Sequence, residues 1–273
     1  MSCFFNPTGS DLVILAEDAG RALHLDEIEA QYFLAAAGDG RLHEHLRGGR
    51  VDFIRYANAC QDLSRPLPPW QVHTLSGIAG GQLLASLANP IALSRVWRLD
   101  PPSGEIKSVH LDLSSVWRHT IGEWRVTFSQ AVLDEMRERR RLALPNETGG
   151  ILIGSFDLSR RVAHVVAALK APEDSAQAPT YFIRGAKDLK PVVDDFVTAS
   201  AGALCYIGEW HSHPDGAAAR PSSDDEHVYA HLNRHLGPTG APFLMAIAGT
   251  DEVWFRFGAE GRTLGETSTL VRR

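Results

Sequence analysis

Two histidines stand two residues apart in the stretch Gly208-Glu209-Trp210-His211-Ser212-His213-Pro214-Asp215-Gly216. In an extended chain, residues two apart point to the same side, so His211 and His213 can address one point while Ser212 faces away. A catalytic zinc site takes three nitrogen or oxygen ligands from the protein and keeps a fourth position for water. A carboxylate completes such a set, and two follow the proline-bounded loop: Asp225, at the start of a predicted helix, and its competitor Asp224. Zinc lowers the pKa of its water toward about 7. A second carboxylate, beside the metal but not on it, must then accept the water's proton and supply one to the leaving amine of a peptide bond. Glu147, just ahead of Gly149-Gly150 and the apolar run 151–153, is the candidate. Ser222 is the candidate oxyanion donor, a role commonly worth about 3 kcal/mol for one donor. It also suits a helix N-cap.

Other residue types that could do chemistry have simpler readings. His227, His231 and His235 recur at i, i+4 and i+8 on one predicted helical face, a spacing that can bind metal but that a solvated face explains as well. Cys205 sits in an apolar strand and reads as a core residue. The basic run Arg137 to Arg141 falls in the last turns of a predicted helix, where it suits the helix dipole, so a solvated face is preferred to an anion site.

The elements that would position these groups are legible in the periodicity. Predicted strands cover 124–128, 150–154, 161–168, 181–183, 204–210, 242–248 and 252–257, and predicted helices begin at Ser129, near Lys187 and near Asp224, with a polar loop at 171–180 between two strands. Interleaved strands and helices make this an α/β or α+β domain with a mixed central sheet. Ahead of it, Asp11 to Ala16 reads as a strand, Leu25 to Leu46 as two helices broken at 38–40, Val51 as the start of a short strand, and Ser64 to Pro69 as a proline loop. A helix follows at 71–87, and then a hairpin about the Pro-Pro-Ser-Gly turn at 101–104. Gly77, Gly80 and Gly81 in that helix suggest close packing on a neighbour. The expected organisation is an N-terminal α/β unit over 1–118, a second domain over 119–260 and a tail over 261–273.

At 273 residues the chain is comfortable for two domains, and its 44% hydrophobic and 22% charged composition is that of a globular protein. The net charge of −6 argues against a nucleic-acid partner. Three scattered cysteines, Cys3, Cys60 and Cys205, make neither a metal knuckle nor a disulfide framework. With no signal-like start and no long apolar run, a cytoplasmic protein without membrane contact is expected.

Glu147-Thr-Gly-Gly-Ile-Leu-Ile-Gly154, His211-Ser-His-Pro214 and Pro221-Ser222-x-x-Asp225 together resemble the signature of the JAMM (JAB, MPN-plus) metallo-isopeptidases. The resemblance spans about 120–260. It implies a cytidine-deaminase-like fold, one Zn2+ held by His211, His213 and Asp225, Glu147 as base and Ser222 as oxyanion donor. The implied reaction is hydrolysis of the bond after the C-terminus of a ubiquitin-like modifier protein, freeing it from its targets, in bacterial systems that include antiphage operons and pair such enzymes with E1- or E2-like partners. Trp210 and the loop at 171–180 would shape the channel for the modifier's tail. One departure stands out: eight residues separate His213 from Ser222, one more than the family's usual spacing. It keeps open a catalytically silent MPN-type scaffold, while processing of a sulfur-carrier protein would suit the same site. The segments Leu12 to Asp18 and Arg55 to Ser64 are similar to the last part of an E1-like (ThiF-type) adenylating domain, but no Gly-x-Gly-x-x-Gly loop accompanies them, so a docking or scaffold role is expected. Cys60 is expected to be an incidental thiol.

Overall fold

The computed structural model describes residues 1–47 and 67–270. The chain divides into two compact units, one of Met1–Leu113 with Thr198–Gly202 and the other of Ser114–Val197 with Ala203–Arg273. The strand expected from Val51, the Arg55–Ser64 segment and Cys60 lie outside the described residues.

In the first unit, β1 (Ser2–Phe5), β2 (Asp11–Ala16), β3 (Leu93–Leu99) and β4 (Ile106–His110) form an antiparallel sheet in that order. Helix α1 (Leu25–Gly38), a 3-10 turn at Gly40–Leu42 and helix α2 (Pro69–Ala88) complete it. No parallel strand pair, the setting of a nucleotide loop, occurs in this unit among the described residues. Every residue of β2 is buried; Leu12, Ile14 and Ala16 join Leu75 of α2 in one core. The glycines of α2 depart from expectation. A Cβ at Gly77, Gly80 or Gly81 would meet nothing within 4 Å, so among the described residues they mark an open helix face.

The second unit is built on an eight-stranded mixed sheet in the order β14-β13-β12-β11-β7-β8-β6-β5. Its strands are β5 (Val116–Ile121), β6 (Trp124–Ser129), β7 (Gly149–Asp157), β8 (Val162–Ala168), β11 (Cys205–Ser212), β12 (Phe243–Ala248), β13 (Glu252–Ala259) and β14 (Arg262–Leu270). A small hairpin, β9 (Ala176–Ala178) with β10 (Tyr181–Ile183), stands apart from it. Helix α3 (Gln130–Ala143) buries Val132, Leu133 and Met136 against one face, with Leu152, Val165, Trp210, Leu244 and Ala246. Helix α5 (Ser223–Leu236) buries Tyr229 and Leu232 on the other, against Phe243, Met245 and Ile247. The alternation of β12 between the two cores is the period of a strand covered on both faces. Helix α4 (Leu189–Ala199) lies between β10 and β11 in sequence.

Two boundaries differ from the sequence reading. The expected tail is strand β14, paired with β13 from Glu252↔Leu270 to Ala259↔Arg262, and the boundary falls before β5, which pairs with β6. Both are edge strands interrupted by polar residues, Arg118, His119 and Thr120 in β5 and Arg262, Thr263 and Glu266 to Thr269 in β14, so neither gives the apolar run by which a strand is recognised. Among the described residues no helix is long and apolar enough to cross a membrane.

A bulge in β11 decides what the sheet can present. Between Tyr206 and Gly208 the register with β7 shifts by one residue, so Ile207 and Trp210 both face the α3 core. A slip of one residue moves every following side chain to the opposite face, and it sends His211 and His213 toward the α5 side. Gly208 has φ +156° and a Cβ there would collide with the backbone oxygen of Leu244. Gly208→Ala is expected to destabilise the second unit by about 1–3 kcal/mol, whereas Gly77→Ala in the open helix face is expected to stabilise the first by about 0.5–1 kcal/mol. Urea unfolding followed by fluorescence and circular dichroism measures both.

Candidate metal centre

The two candidate ligand histidines sit at and just past the end of the sheet's central strand. His211 is paired to Gly149 of β7 on one side and Ile247 of β12 on the other. The ladder continues past the strand: Ser212 N–H donates to the Thr148 carbonyl at 2.7 Å, and His213 N–H donates to the Ala248 carbonyl at 3.0 Å. Because β11 and β12 run parallel, their carboxyl ends open together, the place where sheets of this type bind ligands.

Both imidazoles are buried, each residue 9% exposed. Their Nε2 atoms approach to 3.2 Å. Asp225 Oδ1 lies 3.2 Å from His211 Nε2, and Asp225 Oδ2 lies 3.9 Å from His213 Nε2. Zinc bonds of about 2.0–2.1 Å place tetrahedral neighbours about 3.3 Å apart, so the donor set fits one small tetrahedral cation. The tautomer fits as well. His213 Nδ1 is 2.7 Å from the Ala218 carbonyl, which can only accept, so Nδ1 carries the proton and Nε2 turns its lone pair to the centre. Burial, aided by the neighbouring His211 and Arg140 charges, lowers the His213 pKa and favours this neutral form.

Asp225 is placed by the start of α5. Ser222 is the N-cap, and its side chain and that of Asp225 satisfy each other's backbone N–H groups in a capping box. Asp225 Oδ2 accepts from Ser222 N–H at 2.7 Å and from the Ser222 hydroxyl at 2.8 Å, which leaves Oδ1 for His211 or a metal. Burial alone would raise the Asp225 carboxyl, but the hydrogen bond and charge of His211, with the Ser222 donors, outweigh it and hold the group well below the usual carboxylate range. Asp224 is exposed and outside the cluster. The extra residue before Ser222 is taken up by the turn in which the Ala218 carbonyl reaches back to His213 and Ala219 is buried.

Glu147 lies beside this group. The register Gly149↔His211, continued two residues, sets it opposite His213. Its N–H donates to Ala178 of β9 at 2.9 Å, and Gln177 Nε2 donates to the Thr148 hydroxyl at 3.1 Å, so the expected loop at 171–180 does stand next to the candidate base. Burial raises the Glu147 pKa, with His211 pulling it down and Asp225 pushing it up. A carboxyl moved toward neutrality is suited to taking and returning a proton.

Residues 129–258 match the family described as prokaryotic homologs of the JAB domain. Over these residues the second unit is JAB-like. Two relatives share the name CD-NTase/cGAS isopeptidase. One, from Enterobacter hormaechei subsp. hoffmannii (strain UCI 50), is 37% identical over 102 residues, 37% of this chain and 54% of that protein. The other, from Escherichia coli (strain TW11681), is 29% identical over 132 residues, 47% of this chain and 78% of that protein. The chain thus spans about half the length of the Enterobacter relative. A solution structure of protein DSY2949 from Desulfitobacterium hafniense is 20% identical, covering 53% of this chain and 90% of that one, with a TM-score of 0.34.

Within this JAB-like unit, several sequence expectations change. Trp210 is 1% exposed, lies on the α3 face away from the histidines, and donates its indole N–H to the Leu169 carbonyl at 2.9 Å. It is a core residue and lines no channel. Ser129 occupies the N-cap of α3 but makes no capping bond. His227, His231 and His235 are exposed on α5, and the metal-capable cluster among the described residues is His211, His213 and Asp225. Cys205 is half-buried, its thiol pushed up to about 11 by burial, which suits packing and not nucleophilic attack. Arg140 was missed altogether. It is 6% exposed and bonds to the histidine loop itself, instead of joining a solvated basic face.

Asp225→Asn is expected to weaken divalent-metal binding by at least about tenfold, and Asp224→Asn to leave it unchanged, in a calorimetric titration with Zn2+.

Proposed function

We propose that the JAB-like unit is a zinc-dependent isopeptidase that cleaves the bond joining the C-terminus of a ubiquitin-like modifier protein to its target. The observation that carries this reading is the cluster of two imidazoles and one ionised carboxylate at tetrahedral spacing, with a partly desolvated Glu147 beside it. The isopeptidase name of both relatives supports the reaction class, and the JAB match supports the site's place in the domain.

His211, His213 and Asp225 would hold the ion, which supplies Lewis acidity and a water acidic enough to ionise near neutral pH. Each residue of the chain has a separate task. The Ala218 carbonyl holds the His213 ring with its lone pair inward. The Ser222 donors fix one Asp225 oxygen, so the other is presented alone. Glu147 takes the proton of the attacking water and hands one to the departing lysine amine, for which its raised pKa is the right adjustment. The Ser222 hydroxyl, at the rim and exposed, turns from Asp225 to the carbonyl oxygen as negative charge builds there.

Purified wild-type protein is expected to carry about one zinc per chain. His213→Ala is expected to lose it, and Glu147→Gln to keep it while kcat falls by about 10²- to 10⁴-fold on a defined conjugate of a ubiquitin-like modifier and a lysine side chain. Elemental analysis and gel-resolved cleavage measure the two effects separately. Zinc-free wild type after supplementation would remove the reading.

A further inference from the structure

We propose that Arg140 is a positioning residue for the metal centre, acting from α3 on the backbone of the ligand His213. The inference rests on the zinc reading of the site. Its own support is a set of contacts that the ligand residues and Glu147 do not include.

Arg140 is 6% exposed. A buried guanidinium persists only where its donors are matched, and Nε and one terminal nitrogen of Arg140 are matched by one short segment and the turn next to it. Nε–H donates to the His213 carbonyl at 2.8 Å. One terminal nitrogen donates to Asp215 Oδ1 at 2.6 Å and to the Thr250 hydroxyl at 3.1 Å, and Thr250 in turn donates to the same Asp215 oxygen at 3.3 Å. The guanidinium therefore ties the residue that ligates, the residue two beyond it and the turn between β12 and β13.

This matters at His213 because the histidine stands just past the end of β11. Its N–H still reaches Ala248, but Pro214 follows with no N–H to extend the ladder. The His213 carbonyl is the group on that side, and Arg140 takes it. The chain must then turn so that Ala218 brings its carbonyl back to His213 Nδ1. Asp215 starts that turn under the grip of Arg140, and Arg220 ends it with an ion pair to Glu252. The direction of the His213 lone pair is thus set by a turn whose first residues are fixed from α3. The helix is a rigid support for this, since Val132, Leu133 and Met136 on the same face are packed into the core.

Lysine at this position would preserve the charge, but its ammonium cannot serve a carbonyl and a carboxylate in two fixed directions as the planar fork does. That separates positioning from charge and bulk. The experiment compares wild type with Arg140→Lys, Arg140→Gln, Asp215→Asn and the exposed control Arg141→Gln in the full chain. Zinc affinity is measured by competition with a chromophoric chelator, ligand geometry by the visible absorption of the Co2+-loaded protein, and folding by thermal unfolding of the metal-free forms. Arg140→Lys and Arg140→Gln are expected to weaken zinc binding by about 10- to 100-fold and to alter the cobalt spectrum. Asp215→Asn should do so by a smaller factor and Arg141→Gln not at all, with metal-free Arg140→Lys melting near wild type. Wild-type affinity and an unchanged cobalt spectrum in folded Arg140→Lys would overturn the proposal. So would a loss of affinity in Arg140→Lys matched by unfolding of its metal-free form while Asp215→Asn binds as wild type. A wild-type protein that takes up neither ion overturns instead the zinc reading beneath it.

Discussion

Two imidazole nitrogens held 3.2 Å apart beside a carboxylate are not an arrangement that flexible side chains reach by themselves. Both rings lose water, and each ring's backbone must be fixed before its side chain can be. The second unit meets this constraint by placing the histidines at the end of the strand with neighbours on both sides, parallel β12 and antiparallel β7. The ladder fixes position, the Gly208 bulge fixes the face, and the Ala218 carbonyl fixes ring orientation. Glu147 stands two residues ahead of the strand that pairs with the histidine strand, so the candidate base and two candidate ligands share one hydrogen-bonded frame.

The carboxylate arrives by a different device. Ser-x-x-Asp is the spacing of a helix capping box as well as of a ligand and its neighbour, and here the same two residues serve both purposes. A cap of this kind is worth about 1 kcal/mol to a helix, so part of the cost of desolvating Asp225 is offset by the start of α5. Arg256 reinforces it, pairing with Glu226 at 2.6 Å and lying over the Tyr229 and Trp254 rings, which pins the first turn of α5 to β13.

Much of this was legible in the residues, for reasons that can be named. The two-residue histidine spacing, the apolar strands and the Ser222 cap are local patterns, and each is reproduced in the structure. What was not legible depends on contacts across the fold. The bulge at Gly208 has no signature but the glycine itself, and without it Trp210, expected near a channel, cannot be placed in the α3 core. Edge strands β5 and β14 are polar because one side of each lacks a partner strand, so hydrophobic pattern fails there. Arg140 was within reach: the apolar face of α3 runs through 132, 133 and 136, and four residues on it meets Arg140, not Arg137, Arg139 or Arg141. A charge at a core position of a helix was the signal, masked by its basic neighbours.

The extra residue between His213 and Ser222 illustrates what a motif's spacing encodes. Lengthening a loop of about ten residues by one costs only about 0.1 kcal/mol of closure entropy, so residue count is a weak constraint provided that both ends are held. They are: His213 and Asp215 at one end by Ala248 and Arg140, Ser222 and Asp225 at the other by their mutual cap. Between them Ala219 is buried against Gly249 and Arg220 is paired to Glu252, so the added residue is packed into the turn and the three metal-capable side chains still converge. The departure in spacing therefore argues little for a silent scaffold. Loss of an anchor would disturb the centre more than a change in the number of alanines between the anchors.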